Sequence, residues 1–284
     1  MPAHRSKAPL ADCARYLQAF APRSALISES TSWPLAPLFC SSNPIPCSDG
    51  HELDAETARA ILTVEFPEGV DKRARKIISR SRARPTEKYP SWKMNQMVEC
   101  ESVNELNAYR LLDADPAFSA FHGQPCVIRY CVDGTVHSHF PDTLVRSHAE
   151  ARELWEIKPS LSATNADTLA RTRLLQAALP WHGYSYRLVF GDDLSRQPRL
   201  SNANTLLRLG RIHVDLIARE RIRLFLASTG VITWGAARAG VIGPNGLSVL
   251  ARLTLEGALR IDMTRPISSL TNFVASPPPI WSLT

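Results

Sequence analysis

The run Leu154-Trp155-Glu156-Ile157-Lys158-Pro159 constrains this chain more than any other stretch. Side chains alternate across a β-strand, so Glu156 and Lys158 share one face while Trp155 and Ile157 point the other way, into a core. A short way upstream, Phe140-Pro141-Asp142-Thr143-Leu144-Val145 reads as a second strand, with Asp142 directly after Pro141 and a polar connection between the two. The expected result is an aspartate from one strand beside an acid and a lysine from its neighbour.

The elements around this pair define a fold class. Ser102 to Leu112 has apolar residues near helical spacing, and Ser102 with Glu105 forms a capping box. Asp115-Pro116 closes that helix. Gly123 to Val132 and Thr135 to Val145 flank the turn Asp133-Gly134 and read as a β-hairpin. Asn165 to Leu179 is a helix ended by Pro180, and Tyr184 to Phe190 is a further strand. The order is helix, hairpin, strand, helix, strand: an α/β core with a mixed sheet flanked by helices. From Asn204 the composition changes. Helices over Val214–Ser228, Thr233–Ala237 and Leu247–Leu255, then the alternating Leu259–Met263, suggest a small winged helix-turn-helix. The expected domains are an N-terminal extension over 1–62, a core over 63–200, and a C-terminal unit over 204–284 ending in a Pro-rich tail. Within the extension, Asp54 to Leu62 reads as a helix with an acidic start.

Composition narrows the partners. The net charge is +6 and the pI about 9.1, which favours a polyanion. Between Asp71 and Lys93 nine Lys or Arg residues face two acids, so Arg73, Lys76, Arg80, Arg82, Arg84, Lys88 and Lys93 are candidate contacts to a DNA backbone. A solvated basic linker is the plainer alternative. No apolar run is long enough to span a bilayer, and the basic N-terminus lacks the apolar centre of a secretory signal. A cytoplasmic protein without a membrane partner is therefore expected. Cys126, Cys131, His137 and His139 can be grouped as zinc ligands, but their spacing fits no standard knuckle. There is no P-loop, GxGxxG, HExxH or GxSxG pattern.

The chemistry lies in the two strands. Phosphodiester hydrolysis needs an activated water and neutralisation of charge in the transition state, which a divalent cation held by carboxylates supplies. Hard Mg²⁺ takes a few carboxylates and keeps several waters, and Mn²⁺ is expected to substitute. Asp142 is the first ligand candidate, Glu156 and the Ile157 carbonyl the next, and Lys158 the cation on the water side. Glu105 is either a helix cap or a further carboxylate. The spacing is that of a PD-(D/E)XK nuclease, a short pattern that also arises by chance as a surface ion pair. His137 and His139 share a strand face near Asp142, where phosphate contact is one reading and the commoner solvent-facing strand histidine the other; Asp192 and Asp193 are expected as turn residues rather than ligands.

Taken in order, Ser91-Trp92-Lys93, Glu101 to Leu106, Gly123-Gln124-Pro125, Phe140 to Val145 and Trp155 to Pro159 resemble the TnsA-like endonucleases of heteromeric cut-and-paste transposons. The match spans about residues 63–200, and the C-terminal region is similar to that family's winged-helix domain. The resemblance implies a restriction-endonuclease-like fold in a bacterial protein. It places Glu105, Asp142 and Lys158 in catalytic positions, with Glu156 a replaceable ligand. It also implies cleavage of the non-transferred strand at the 5′ transposon ends, beside a DDE transposase subunit and an AAA+ ATPase regulator. A stand-alone restriction or defence nuclease, and an inactive winged-helix DNA-binding assembly protein, are the alternatives.

Overall fold

The computed structural model describes residues 59–67, 74 and 87–276. Strand β1 (Ile61–Glu65) comes first, then β2 (Glu87–Ser91) and β3 (Gln96–Cys100), an antiparallel hairpin. Helix α1 (Val103–Ala114) starts at Ser102, whose Oγ accepts the Glu105 N–H at 3.1 Å. Strands β4 (Phe118–Gly123), β5 (Val127–Val132), β6 (Thr135–His139), β7 (Thr143–Ser147) and β8 (Arg152–Lys158) follow. Helix α2 (Ala166–Ala178) then crosses to β9 (Ser185–Phe190).

The central sheet has the order β4-β7-β8-β9. Its first three strands are antiparallel, while β8 and β9 run parallel, with Glu156 opposite Leu188. A parallel pair needs a crossover, which α2 provides. Helices cover both faces. Val145, Trp155, Ile157 and Val189 join one core with α1 residues such as Tyr109 and Leu112. Leu144, Leu154 and Tyr186 join another with Leu175, Ala178 and Leu179. A strand covered on both faces loses the half-solvated character that its alternation suggests. Glu156 shares the buried Leu154 face, with 4% of its surface exposed.

The β5–β6 hairpin turns at Asp133-Gly134, both with positive φ (51° and 73°), as a tight hairpin connection requires. Strand β1 pairs with β5, so Ile61 and Leu62 belong to the folded sheet rather than to an extension, with Ile61 buried in its core. The rest of the helix expected over Asp54–Leu62 lies mostly outside the described residues. The expected strand Thr135–Val145 is two strands: the chain leaves the outer sheet at Phe140-Pro141 and enters the central one at Thr143. Pro141 has no N–H to give a ladder, which suits it to this break. Two more strand regions went unread. After Lys93, Asn95 adopts φ 51° and reverses the chain into β3, a turn that no local pattern announced. Strand β4 carries too mixed a pattern, FSAFHG, to signal itself.

After a short helix, α3 (Gly191–Leu194), comes α4 (Arg199–Leu209), which runs across the expected boundary at 200–204. Leu200, Ala203, Leu206 and Leu207 of α4 lie in the same core as α1. Helix α5 (Leu216–Thr229) is capped by Asp215 and ended by Gly230 at φ 74°. Strand β10 (Ile232–Thr233), α6 (Trp234–Arg238), α7 (Gly246–Leu255), β11 (Leu259–Arg260) and β12 (Asn272–Ala275) complete the described chain. The small sheet has the order β10-β12-β11. The strand expected over Leu259–Met263 stops at Arg260, because Asp262 Oδ1 accepts the Thr264 N–H and hydroxyl in a turn. The tail from 277 onward lies outside the described residues.

Helix α7 is interior. Val249, Leu250, Ala251, Leu253, Thr254 and Leu255 are all buried, and Ala251 and Leu255 join the core that α1 and α4 build. Arg252 lies 4.7 Å over the Trp92 ring and pairs with Glu256, which Arg219 also grips. Gly210 lets α4 and α7 approach: a Cβ there would lie 2.7 Å from Leu255 Cδ1 and 2.9 Å from the Arg252 nitrogen. Gly210→Ala is therefore expected to cost about 1–3 kcal/mol through overpacking. Equilibrium urea unfolding checks this, and an unchanged midpoint would refute the close approach. Among the described residues no helix is long and apolar enough to cross a membrane.

Candidate active site

Asp142 occupies the step between the outer and central sheets. Its N–H donates to the Trp155 carbonyl at 2.9 Å, and its own carbonyl accepts the Gln124 N–H at 2.7 Å. Its carboxylate Oδ2 accepts the Ile157 N–H at 2.6 Å. The break at Pro141 thus turns Asp142 onto β8, between the backbone positions of Trp155 and Ile157. Burial pushes the Asp142 carboxyl up to about 7, with the neighbouring charges of Glu156 and Glu105 adding to the rise; the Ile157 hydrogen bond and Lys158 oppose it.

Glu156 is enclosed by cations. Lys158 Nζ lies 2.5 Å and Arg171 Nη2 3.3 Å from its Oε1. His139 Nε2 lies 3.3 Å from its Oε2 and 2.8 Å from the Tyr186 hydroxyl. The contact with His139 is not an ion pair. Burial, and then the charges of Arg171 and Lys158, push that imidazole down to about 3, so it is neutral. His139 was expected to face solvent and is instead buried; His137 is exposed and stacks on Tyr130 at 5.3 Å.

Glu105 closes the capping box: its Oε1 accepts the Ser102 hydroxyl and its Oε2 the Glu101 N–H, each at 3.0 Å. It is also close enough for its charge to act on Asp142. The two expectations for Glu105 are therefore compatible, since one carboxylate both caps α1 and adds negative charge beside Asp142.

Among the described residues, no three His, Cys, Asp or Glu side chains form a ready metal cluster. The donor set still suits a hard, water-keeping cation. Asp142 and Glu105 supply two carboxylates, and the repulsion of Asp142 by Glu156 first and Glu105 next is what a cation would relieve. Glu156 fits less well as a ligand, because Lys158 and Arg171 already neutralise it. Ile157 commits its N–H to Asp142, and its side chain belongs to the core.

Of the candidate DNA contacts, Arg73, Lys76, Arg80, Arg82 and Arg84 lie outside the described residues. Lys88 is exposed on β2. Lys93 is a correction: its ammonium donates to the carbonyls of Leu112 and Asp115, at 2.6 and 2.7 Å, and caps the end of α1. Burial pushes it down to about 8. Ala74, within the basic stretch, donates its N–H to the Gln124 carbonyl at 3.1 Å, and the Gln124 N–H reaches the Asp142 carbonyl. Asp192 and Asp193, expected in a turn, lie instead in the short helix α3, and Asp193 pairs with Arg196 at 2.6 Å.

Arg171 and Tyr186 were not singled out from the sequence. Arg171 carried a faint signal: it lies on the inward stripe of Thr168, Thr172 and Leu175, where a charge needs a partner. A scan of protein-family models gives no match to this chain, and a search of curated proteins finds no similar one. The likeness to the transposon endonucleases thus rests on the motifs quoted above.

Proposed function

We propose that this chain is a Mg²⁺-dependent DNA endonuclease with a restriction-endonuclease-like PD-(D/E)XK fold and a winged-helix C-terminal unit. In this reading it nicks the non-transferred strand at the 5′ ends of a transposon, together with a DDE transposase subunit and an AAA+ ATPase regulator. The observation that carries it is the Asp142 carboxylate held on the Ile157 N–H, between Glu156 and Lys158 of the same strand.

Asp142, Glu105 and the Ile157 carbonyl would hold the Mg²⁺, or Mn²⁺ in its place, which supplies charge neutralisation and a more acidic water. The β7–β8 pairing fixes Asp142 against β8, so the acid and the lysine enter the site from one rigid ladder. Lys158 keeps about a third of its side chain exposed, and its ammonium can donate to the attacking water or to a phosphate oxygen. Glu156 holds that ammonium in place between turnovers. The cationic stretch passes Gln124 at Ala74, two backbone hydrogen bonds from Asp142, which suits contact with phosphates flanking the scissile bond.

The interior position of α7 changes the part assigned to the C-terminal unit. The third helix of a groove-reading winged helix is exposed; here it fills the core between the units. That weighs against an assembly protein that reads DNA through α7.

The test is strand cleavage of duplex transposon-end DNA with Mg²⁺ and the transposase. Lys158→Ala is expected to lower the nicking rate by roughly 10²- to 10⁴-fold. Calorimetric binding of Mn²⁺ should survive the substitution. Wild-type protein that never nicks such DNA would remove the reading, and lost metal binding in Lys158→Ala would mean that its role is misassigned.

A further inference from the structure

We infer that Arg171 is a positioning residue of this site, taking over the charge of Glu156 when Lys158 turns toward the attacking water or the phosphate. The inference rests on the nuclease reading and assigns α2 a part in it.

Glu156 is buried and must keep a cationic partner, because an unpaired carboxylate in that setting is costly. Lys158 and Arg171 both hold the same oxygen, Oε1, at 2.5 and 3.3 Å. The other oxygen has His139 Nε2 at 3.3 Å, so both close cations sit on one oxygen among the described residues. If Lys158 were the sole cation, each departure toward substrate would leave Glu156 bare, and the lysine would be held back. A second cation removes that restraint.

Arg171 has the capacity to do so. It uses one N–H on Glu156 and also hydrogen-bonds the Tyr186 side chain, while its Nε is buried and has no hydrogen-bond partner among the described residues. A guanidinium grips a carboxylate best with two parallel N–H groups. When Lys158 leaves, a small rotation lets Arg171 engage both Glu156 oxygens and satisfy the idle donor. Helix α2 is fixed for this task by the packing of Leu175 and Ala178 against the sheet. Tyr186, hydrogen-bonded to His139, closes the cluster on the β9 side.

The experiment compares wild type, Arg171→Met and Arg171→Lys in the full chain. Arg171→Met is expected to lower kcat for nicking by about 10- to 100-fold, the range typical of outer-shell partners, with KM for DNA unchanged. Arg171→Lys should recover most of the loss. In a Lys158→Ala background Arg171→Met leaves Glu156 without a cation and should cost stability, but per folded molecule it should bring no further loss of kcat, since it acts through that lysine. A second readout needs no activity. Acetic anhydride labelling of Lys158, followed by mass spectrometry, should slow several-fold in Arg171→Met, because Glu156 then pairs with Lys158 alone. Unchanged labelling, or an additive loss in the double variant, would overturn the inference. Slower labelling in a wild-type framework that never cuts DNA would leave the coupling of Arg171 to Lys158 intact and remove the nuclease reading instead.

Discussion

Asp142→Asn is expected to abolish metal-dependent nicking and, in the same protein, to raise stability at alkaline pH. The loss of a carboxylate ligand should cost at least about 10³-fold in rate, the equivalent of roughly 4 kcal/mol of barrier. The gain follows from linkage. The Asp142 carboxyl titrates at about 7 in the folded protein, above its ordinary value of 3.8. The native state therefore binds a proton more tightly than the unfolded chain, and stability falls as pH rises from about 4 to about 7. Asparagine carries no charge and can still accept the Ile157 N–H, so it escapes that decline. Its melting temperature should match wild type near pH 4 and exceed it at pH 8, by an amount worth at most a few kcal/mol. Mg²⁺ should stabilise wild type more at pH 8 than at pH 6, since it competes with the proton, and should leave the variant unmoved. An asparagine variant that melts lower than wild type at pH 8 would show that the carboxylate is well compensated and no cation is wanted.

Asp113→Ala should produce the largest loss of stability in the chain. Asp113 is fully buried at the end of α1. Its Oδ1 accepts from the Ser91 hydroxyl at 2.6 Å and the Lys93 N–H at 3.2 Å; its Oδ2 accepts from the Tyr89 hydroxyl at 2.7 Å and the Trp92 N–H at 3.1 Å. Its carbonyl takes the Trp92 indole N–H. Burial, with the charge of Asp113, raises the Tyr89 phenol well above its usual range, so it remains a donor. Truncation strands these buried donors at once, at a cost of about 3–5 kcal/mol. That is a large share of the roughly 5–15 kcal/mol that holds a domain together. Thermal and denaturant unfolding measure it. If the active site is assigned correctly, nicking per folded molecule should stay near wild type at low temperature; a selective loss of kcat without loss of stability would place Asp113 in the chemistry.

The legible parts of the sequence were those whose cause is local. The hairpin turn at Asp133-Gly134, the cap at Ser102, and the strand holding Glu156 and Lys158 are each written within a few residues. What escaped depends on distant contacts. Strands β1 and β4 exist because β5 and β7 offer them open edges, and neither alternates cleanly enough to announce itself. The burial of Glu156 was not legible, because alternation says which side chains share a face but not whether a helix covers that face. Lys93 sits in a cationic run and was read with its neighbours, yet the end of α1 claims it. Arg171 and His139 reach the site only through the fold: one comes from the crossover helix, the other from a strand of the outer sheet.

The continuity of α4 across the expected boundary bears on how such a chain can diversify. Leu206 and Leu207 from one side, and Ala251 and Leu255 from the other, belong to a single apolar cluster. A cut at residue 204 would divide a helix and open that cluster to water. Insertions and exchanges succeed where few contacts cross a boundary, and here many do. The C-terminal unit is therefore inherited with the half that carries the proposed site, and if the chain is the proposed nuclease, a new DNA preference would come from substitutions on exposed surfaces rather than from swapping in a foreign reader.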